Sequence, residues 1–101
     1  MENKVHSTAG TIIKIGELET FGNFSKQELV LDIDDGKYSQ KVSFEVTGKA
    51  LDSLSQFAEG QQVEVNFNLR GRDWTNKEGE VKYFNSLSVW KITDADGDLD
   101  L

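Results

Sequence analysis

Apolar and polar residues alternate along much of the chain, and a period of two residues is typical of a strand with one buried face. In the clearest case Val63, Val65, Phe67 and Leu69 point one way and the polar residues between them point the other. A β-branched run near the N-terminus adds one more candidate strand. The predicted strands cover residues 10–16, 24–34, 38–46, 62–74 and 80–93.

The second and third strands are predicted to form a hairpin. Asp35-Gly36 between them is a strong signal for a two-residue type I′ turn, which needs positive φ at both positions. In that register Leu29 pairs with Val42 and the apolar faces of the two strands coincide.

The period changes after residue 47, where apolar residues recur at helical spacing. They are Ala50, Leu51, Leu54, Phe57 and Ala58. Thr47 can cap the start of a helix, and Gly60 can supply the left-handed residue that ends it. The pattern therefore predicts one helix of about three turns.

The predicted order is three strands, one helix and two strands. The strand over residues 62–74 is too long to lie flat in a chain of 101 residues, so it must coil, and Gly71 offers a place to bend. Long coiled strands with one helix closing the bottom describe an all-β, five-stranded OB-fold barrel with the helix between strands 3 and 4. A small α+β roll of the β-grasp type is the alternative.

Charge divides the chain into two parts. Residues 94–101 (DADGDLDL) contain four aspartates and too little apolar surface to fold alone. We therefore predict an OB-fold nucleic-acid-binding domain over residues 1–93 and a mobile acidic tail over residues 94–101. The formal net charge is −7, but residues 70–91 contain five basic and three acidic side chains, so this segment is locally basic.

Several chemistries are excluded by the composition. The chain has no cysteine, which excludes disulfides and thiol chemistry. Its one histidine, His6, lies in an N-terminal segment predicted to be mobile, and no nucleophile–base pair or phosphate-cradling glycine loop is present. Residues 94–100 only superficially match a calcium loop, because their glycine is fourth and an EF-hand needs it sixth. We expect no enzyme activity, no metal site and no cofactor.

The sequence contains no apolar run long enough to span a membrane. The N-terminus lacks the basic and apolar regions of a signal peptide. We therefore expect a cytoplasmic protein with no membrane partner.

The last two strands predict a hairpin whose outward face carries the candidate chemistry. With a loop over residues 75–79, Arg72 faces Lys82, a like-charge pair that becomes favourable if a phosphate lies between the two side chains. The outward aromatic rings can stack on bases, each worth ~1–3 kcal/mol. The candidate nucleic-acid-binding residues on this face are Arg70, Arg72, Trp74, Lys82 and Phe84.

Two more candidates, Phe24 and Lys26, follow the first loop between strands, which borders the binding face of OB folds. The remaining aromatic residues of the strands are assigned to structure. Tyr83, Phe44 and Phe67 are expected in the core, and Trp90 is expected to be covered by packing.

Short motifs in these segments resemble a known family. Residues 68–74 (NLRGRDW), 82–85 (KYFN) and 90–92 (WKI) are similar to small bacterial and phage proteins whose domain was long labelled as of unknown function. Residues 24–28 (FSKQE) look like the same family's Phe-x-Lys-(Arg/Gln)-Glu. The family is related to OB-fold single-stranded DNA-binding proteins, so the resemblance implies the OB fold and nucleic-acid binding. It does not fix the contacting residues or tell host from phage origin.

Together these features predict a protein that binds single-stranded DNA largely without sequence preference and protects or presents it in replication or recombination. The tail is expected to compete with phosphates for the basic residues and, when released, to bind replication proteins. The tail residues assigned to that partner contact are Asp96, Asp98, Leu99, Asp100 and Leu101. An RNA-binding OB module is an alternative. An OB-fold adaptor of a replication complex, favoured by outward Glu28, Glu45 and Glu64, is another. Site size and oligomeric state stay open.

Overall fold

Strands make up most of the protein, and its computed structural model describes residues 6–95. The elements in chain order are β1 (His6–Ile15), β2 (Glu19–Phe21), β3 (Phe24–Asp34), β4 (Ser39–Thr47), α1 (Lys49–Leu54), β5 (Gln62–Thr75) and β6 (Val81–Asp94). The prediction for β3 is confirmed at both ends. The hydrophobic pattern does not reveal β2, because all three of its residues are exposed.

Five strands close into a barrel, because β1 pairs with both β3 and β5. The order β1-β5-β6-β4-β3 continues to β2, which extends the sheet outside the barrel. Only β4 and β6 run parallel among the described pairings, and they meet at Glu45–Ser88 and Val46–Val89. The predicted all-β barrel is confirmed. The helix lies between β4 and β5 and not between strands 3 and 4, because β2 adds a strand ahead of it.

Alternate residues of the barrel strands form the core together with two residues of α1. The buried residues are Ile12, Leu29, Leu31, Phe44, Val46, Ala50, Leu54, Val63, Val65, Val89 and Ile92. Phe44 contacts Phe67 edge to face, with ring centroids 5.3 Å apart. The core assignment of Phe44 is confirmed, and Phe67 is partly buried against the same cluster.

The β3–β4 hairpin has the predicted faces but a different register. Leu29 pairs with Phe44, two residues further along the chain than predicted. The loop runs from Asp35 to Tyr38, and Asp35 Oδ1 accepts a 2.8 Å hydrogen bond from the Tyr38 backbone N–H. Gly36 is the one residue of this loop with positive φ, so the type I′ turn, which needs two, does not form.

The β5–β6 hairpin is shifted by two residues as well. Trp74 pairs with Lys82, whereas the predicted register pairs it with Glu80. The loop of residues 76–80 is organised by Asn76, whose Oδ1 accepts a 2.9 Å hydrogen bond from the Glu80 backbone N–H. From Phe67 to Thr75 the shift is an even number of residues, so each side chain keeps its predicted face. A bulge between Asn66 and Phe67 breaks the alternation nearer the base of the hairpin, where Val65 pairs with Ile92.

The helix is shorter than predicted, with six residues in Lys49–Leu54. Its N-cap is Gly48, at φ 63°, and Thr47 belongs to the end of β4. Gly60 has positive φ as predicted, but it lies in the turn before β5. Its backbone N–H donates a 2.7 Å hydrogen bond to the carbonyl of Ile12 in β1. This hydrogen bond holds the segment after α1 against β1, in a conformation that does not continue the helix.

The first and last described residues belong to or adjoin strands, although the sequence predicts mobile segments at both ends. His6 belongs to β1, and its ring stacks on Phe67 with centroids 5.6 Å apart, so the expectation of a mobile His6 is wrong. β6 includes Asp94, and Ala95 N–H donates a 3.1 Å hydrogen bond to the Gln62 carbonyl. The tail residues assigned to partner binding, Asp96, Asp98, Leu99, Asp100 and Leu101, lie outside the described residues. The division into domain and tail stays a prediction.

Candidate nucleic-acid interface

The outer half of the β5–β6 hairpin projects from the barrel, and we call residues 69–87 the arm. Its residues 69–75 and 81–85 are all exposed, whereas Val63 and Val65 nearer the base of β5 are fully buried. The chain measures 57 × 36 × 33 Å along its principal axes, with a Cα radius of gyration of 15.5 Å. That radius exceeds the ~13 Å expected for a compact domain of about 100 residues. The arm therefore presents both faces to solvent.

One face of the arm carries the predicted binding residues of the hairpin. Arg72 pairs with Phe84 across the ladder, and its guanidinium carbon lies 5.8 Å from the ring centroid. Trp74 pairs with Lys82 two residues further out, and Arg70 lies two residues nearer the barrel on the same face. The predicted like-charge pair of Arg72 and Lys82 is wrong because of the register shift. Each of these two cations instead has an aromatic ring opposite it.

Near the barrel, this face lines a depression of about 390 Å³ that we call the arm groove. Its lining residues are Glu45, Arg70, Gly71, Arg72, Phe84, Asn85 and Ser86. Guanidinium groups pair with phosphates in a bidentate manner and also stack on bases, and Phe84 adds an apolar ring. The groove therefore has the groups needed to hold a nucleotide of a single strand.

The β2–β3 hairpin carries the other two predicted binding residues. Phe24 pairs with Phe21 across the tight turn, and Lys26 Nζ lies 5.6 Å from the centroid of the Phe21 ring. Lys26 Nζ is also 3.5 Å from Glu45 Oε2. Glu45 thus connects Lys26 to the arm groove. Phe24 is exposed but does not line that groove.

A second depression, of about 640 Å³, lies beside the outward face of β3 and β4, and we call it the acidic groove. Its lining residues are Lys14, Ile15, Gly16, Glu17, Glu19, Lys26, Gln27, Glu28, Ser43, Phe44 and Glu45. It combines four glutamates with two lysines, so its net charge is negative. Sequence reasoning does not find this groove, because β1, the following loop and three further strands, β2, β3 and β4, have to converge to form it. The only sequence signal is the outward phase of Glu28 and Glu45.

Glu28 and Glu45 stand directly opposite each other on the β3–β4 ladder. Like charges in this position are unfavourable, and each glutamate has a cation close to it. Lys14 Nζ is 3.4 Å from Glu28 Oε1, and Ser43 Oγ donates a 2.7 Å hydrogen bond to Glu28 Oε2. The Ser43 hydrogen bond, followed by the Lys14 interaction, holds the pKa of Glu28 below its ordinary value. Glu28 is therefore firmly ionised near neutral pH.

The opposite face of the arm exposes large apolar side chains among polar ones. Leu69 is 64% exposed and Tyr83 is 77% exposed, so the assignment of Tyr83 to the core is wrong. The inward face of the hairpin packs against the core as far as Phe67 on β5 and Leu87 on β6, and beyond them the strands leave the barrel. Trp90, expected to be covered, is 48% exposed and lines neither groove.

Neither a metal-binding cluster nor a membrane-spanning helix is found in residues 6–95. Between residues 6 and 95, no cluster of three or more His, Cys, Asp or Glu side chains is placed to hold a metal ion. In the same stretch, no helix combines the length and the apolar character needed to cross a membrane.

The barrel topology, with one short helix between β4 and β5 in the described residues, is that of an OB fold. Residues 7–93 match the family described as "Domain of unknown function (DUF3127)", and the chain belongs to that family. The resemblance drawn from the motifs of β3, β5 and β6 is thereby confirmed. A search of curated proteins by sequence finds no match.

Solved structures with the same fold include single-stranded DNA-binding proteins. The mitochondrial protein Rim1 of S. cerevisiae has a TM-score of 0.74 at 15% identity, over 94% of this chain and 97% of that one. The small single-stranded DNA-binding protein of Streptomyces coelicolor has a TM-score of 0.62 at 13% identity, over 97% and 99%. The Plasmodium falciparum protein in complex with single-stranded DNA has a TM-score of 0.61 at 12% identity, over 95% and 100%. At these identities the likeness establishes the fold.

Proposed function

We propose that this protein binds single-stranded DNA, largely without sequence preference, and has no enzymatic role. The observation that carries the proposal is the face of the arm, where Arg72 lies opposite Phe84 and Trp74 lies opposite Lys82. Rings accept bases of any sequence, and cations accept the phosphates between them. The structural likeness to proteins that bind single-stranded DNA supports the same function.

The proposed contact surface runs from the arm to the barrel. Trp74 and Lys82 hold the outer part of the strand, and Arg70, Arg72 and Phe84 hold the part in the arm groove. Lys26 continues the surface past Glu45, with Phe24 on the neighbouring hairpin. OB folds bind about 4–16 nucleotides each, and we expect a site size within that range.

The cellular role that suits this chemistry is to protect or present single-stranded DNA in replication or recombination, in the cytoplasm. The acidic tail is assigned a partner contact with replication proteins through Asp96, Asp98, Leu99, Asp100 and Leu101. This assignment rests on the sequence of the tail alone.

A fluorescence titration tests the DNA-binding proposal. The chain has two tryptophans, so the variant Trp90→Phe leaves Trp74 as the only reporter. Oligo-dT should quench Trp74 at 20 mM salt, the affinity should fall at 200 mM salt, and duplex DNA should compete poorly. Unchanged Trp74 emission together with unchanged anisotropy of labelled oligo-dT would reject the proposal, and so would equal or tighter binding of the duplex.

A protein-binding adaptor is the second candidate, because the acidic groove places four glutamates on the outward side of the barrel. Such a surface suits a basic segment of a partner protein better than it suits phosphates. An adaptor should show neither salt-sensitive quenching of Trp74 nor protection of oligo-dT from nuclease. Replacing oligo-dT by oligo-U in the same titration separates DNA from RNA preference.

A further inference from the structure

Glu45 occupies the junction of the proposed binding surface. It lines both the arm groove and the acidic groove. Among the described residues that line the arm groove it is the only acidic side chain, and it shares that groove with Arg70 and Arg72. Its Oε2 atom is 3.5 Å from Lys26 Nζ. The parallel pairing of β4 with β6, in which Glu45 stands opposite Ser88, fixes it there.

We infer that the Glu45 carboxylate is an internal substitute for a phosphate, which neutralises the cations of the free site and is displaced by the DNA backbone. The inference rests on the proposed function and describes how that same site is regulated. Carboxylates and phosphodiesters are both anions that accept charge-assisted hydrogen bonds from Lys and Arg, so they compete for the same donors. A strand that passes from the arm groove to Lys26 has to pass Glu45.

Displacing Glu45 from Lys26 is unfavourable because another carboxylate lies beside it. Glu28 stands directly opposite Glu45, with its own charge held by Ser43 and Lys14. When Lys26 turns to a phosphate, Glu45 loses its compensating cation and faces both Glu28 and the incoming phosphate. Glu45 therefore lowers the affinity of the site and limits how many counterions binding releases.

The test compares Glu45→Gln with Glu64→Gln. Both remove one carboxylate, but Glu64 is an exposed residue of β5 opposite Thr93 and lines neither groove. The affinity for oligo-dT is measured by anisotropy from 20 to 200 mM salt. Glu45→Gln should bind roughly three- to fivefold tighter than wild type at 20 mM salt, which corresponds to one exposed ion pair released. Its salt slope should be steeper by about 0.7, the value for one additional phosphate contact on a single strand.

The gain should shrink toward 200 mM salt, and Glu64→Gln should stay within about twofold of wild type throughout. Combining Glu45→Gln with Lys26→Gln should reduce the gain, because Glu45 then has one fewer cation to release. Thermal unfolding of each variant checks that the fold is kept.

Two outcomes separate this inference from the proposed function. Equal affinities and slopes for Glu45→Gln and Glu64→Gln, with clear binding by wild type, would overturn the inference and leave the proposed function standing. Failure of the wild-type chain and both variants to bind oligo-dT at 20 mM salt would overturn the proposed function and the inference together.

Discussion

Arg72 lies directly opposite Phe84 on the β5–β6 ladder, with its guanidinium carbon 5.8 Å from the centroid of the ring. This is within the distance at which a cation is attracted to an aromatic face. The contact orders two side chains on an arm that is otherwise exposed to solvent. Replacing either residue therefore removes one contact of the proposed DNA-binding surface and leaves the other side chain less ordered.

Trp74→Ala should weaken binding to oligo-dT by roughly tenfold or more, because one stacked base is worth ~1–3 kcal/mol. The domain should stay folded, since Trp74 is 51% exposed and lies outside the core. Trp90→Ala is the matched control, because Trp90 is similarly exposed, at 48%, but is not part of the proposed contact surface, and the affinity of this variant should stay near that of wild type. Loss of the fold in Trp74→Ala, with normal binding by the folded fraction, would mean that the ring packs in the protein and does not contact DNA.

The double variant Arg70→Ala with Arg72→Ala should bind more weakly and show a flatter salt dependence. Two lost phosphate contacts should reduce the slope of log affinity against log salt by about 1.4 on a single strand. A double variant of Lys49 and Lys91 to Ala removes the same charge from positions that line neither groove. If both double variants change the slope equally, net charge and not the arm groove is responsible.

Phe44→Ala should cost about 3–5 kcal/mol of unfolding free energy, as large truncations in a core do. Phe44 is 1% exposed, whereas Phe67 is only partly buried between Phe44 and His6. Phe67→Ala should therefore cost less, and urea unfolding at neutral pH measures both. A larger loss at Phe67 would contradict this ranking.

Acid should destabilise the fold partly through Glu28. Its pKa is lowered in the folded protein by the Ser43 hydrogen bond and then by Lys14, so this stabilisation is complete above the unfolded pKa of about 4.3. It is lost as the pH falls through the lower folded pKa. Urea midpoints between pH 7 and pH 3 should therefore fall less steeply in Glu28→Gln than in Glu64→Gln. The same fall in both variants would show that Glu28 does not contribute.

Deleting residues 96–101 should tighten binding to oligo-dT at low salt, with a gain that shrinks as salt rises. The removed carboxylates are tethered to the same chain as Arg70, Arg72 and Lys82, which gives them a high effective concentration near those cations. The deletion keeps Ala95, whose backbone N–H bonds to Gln62 and closes the end of β6. Unchanged or weaker binding would show that the tail does not compete with DNA. Its remaining roles would then be partner binding or solubility.

Alternation identifies the buried face of β3 and β4 correctly, but it cannot select their register. Leu29 and Phe44 were both expected inward and both are buried, yet their pairing differs from the prediction by two residues. A shift of two preserves every face, so the hydrophobic pattern is the same in both registers. The loops decide instead, through contacts such as the one from Asp35 Oδ1 to the Tyr38 N–H.

The candidate site was predictable on the arm, whereas at the barrel the sequence indicated Lys26 but not its partner Glu45. Arg70, Arg72 and Trp74 share a face because they alternate on one strand. Glu45 reaches the same groove through the parallel contact between β4 and β6, which joins residues far apart in sequence. The error at Tyr83 has a different cause. The alternating pattern predicts which face of β6 Tyr83 lies on, but it does not show that the hairpin has left the barrel at that position.

The position of β1 has a consequence for how the protein folds. Thr11 is paired with Asp32 on one side and with Gln62 on the other. The barrel therefore closes only after β1 has paired with β5, which lies in the second half of the chain. The conformational entropy lost in closing this long loop is not offset until the contacts of the closed barrel have formed. Hairpins β3–β4 and β5–β6 can form locally in microseconds, but closure at β1 should set an overall folding time on the order of milliseconds to seconds.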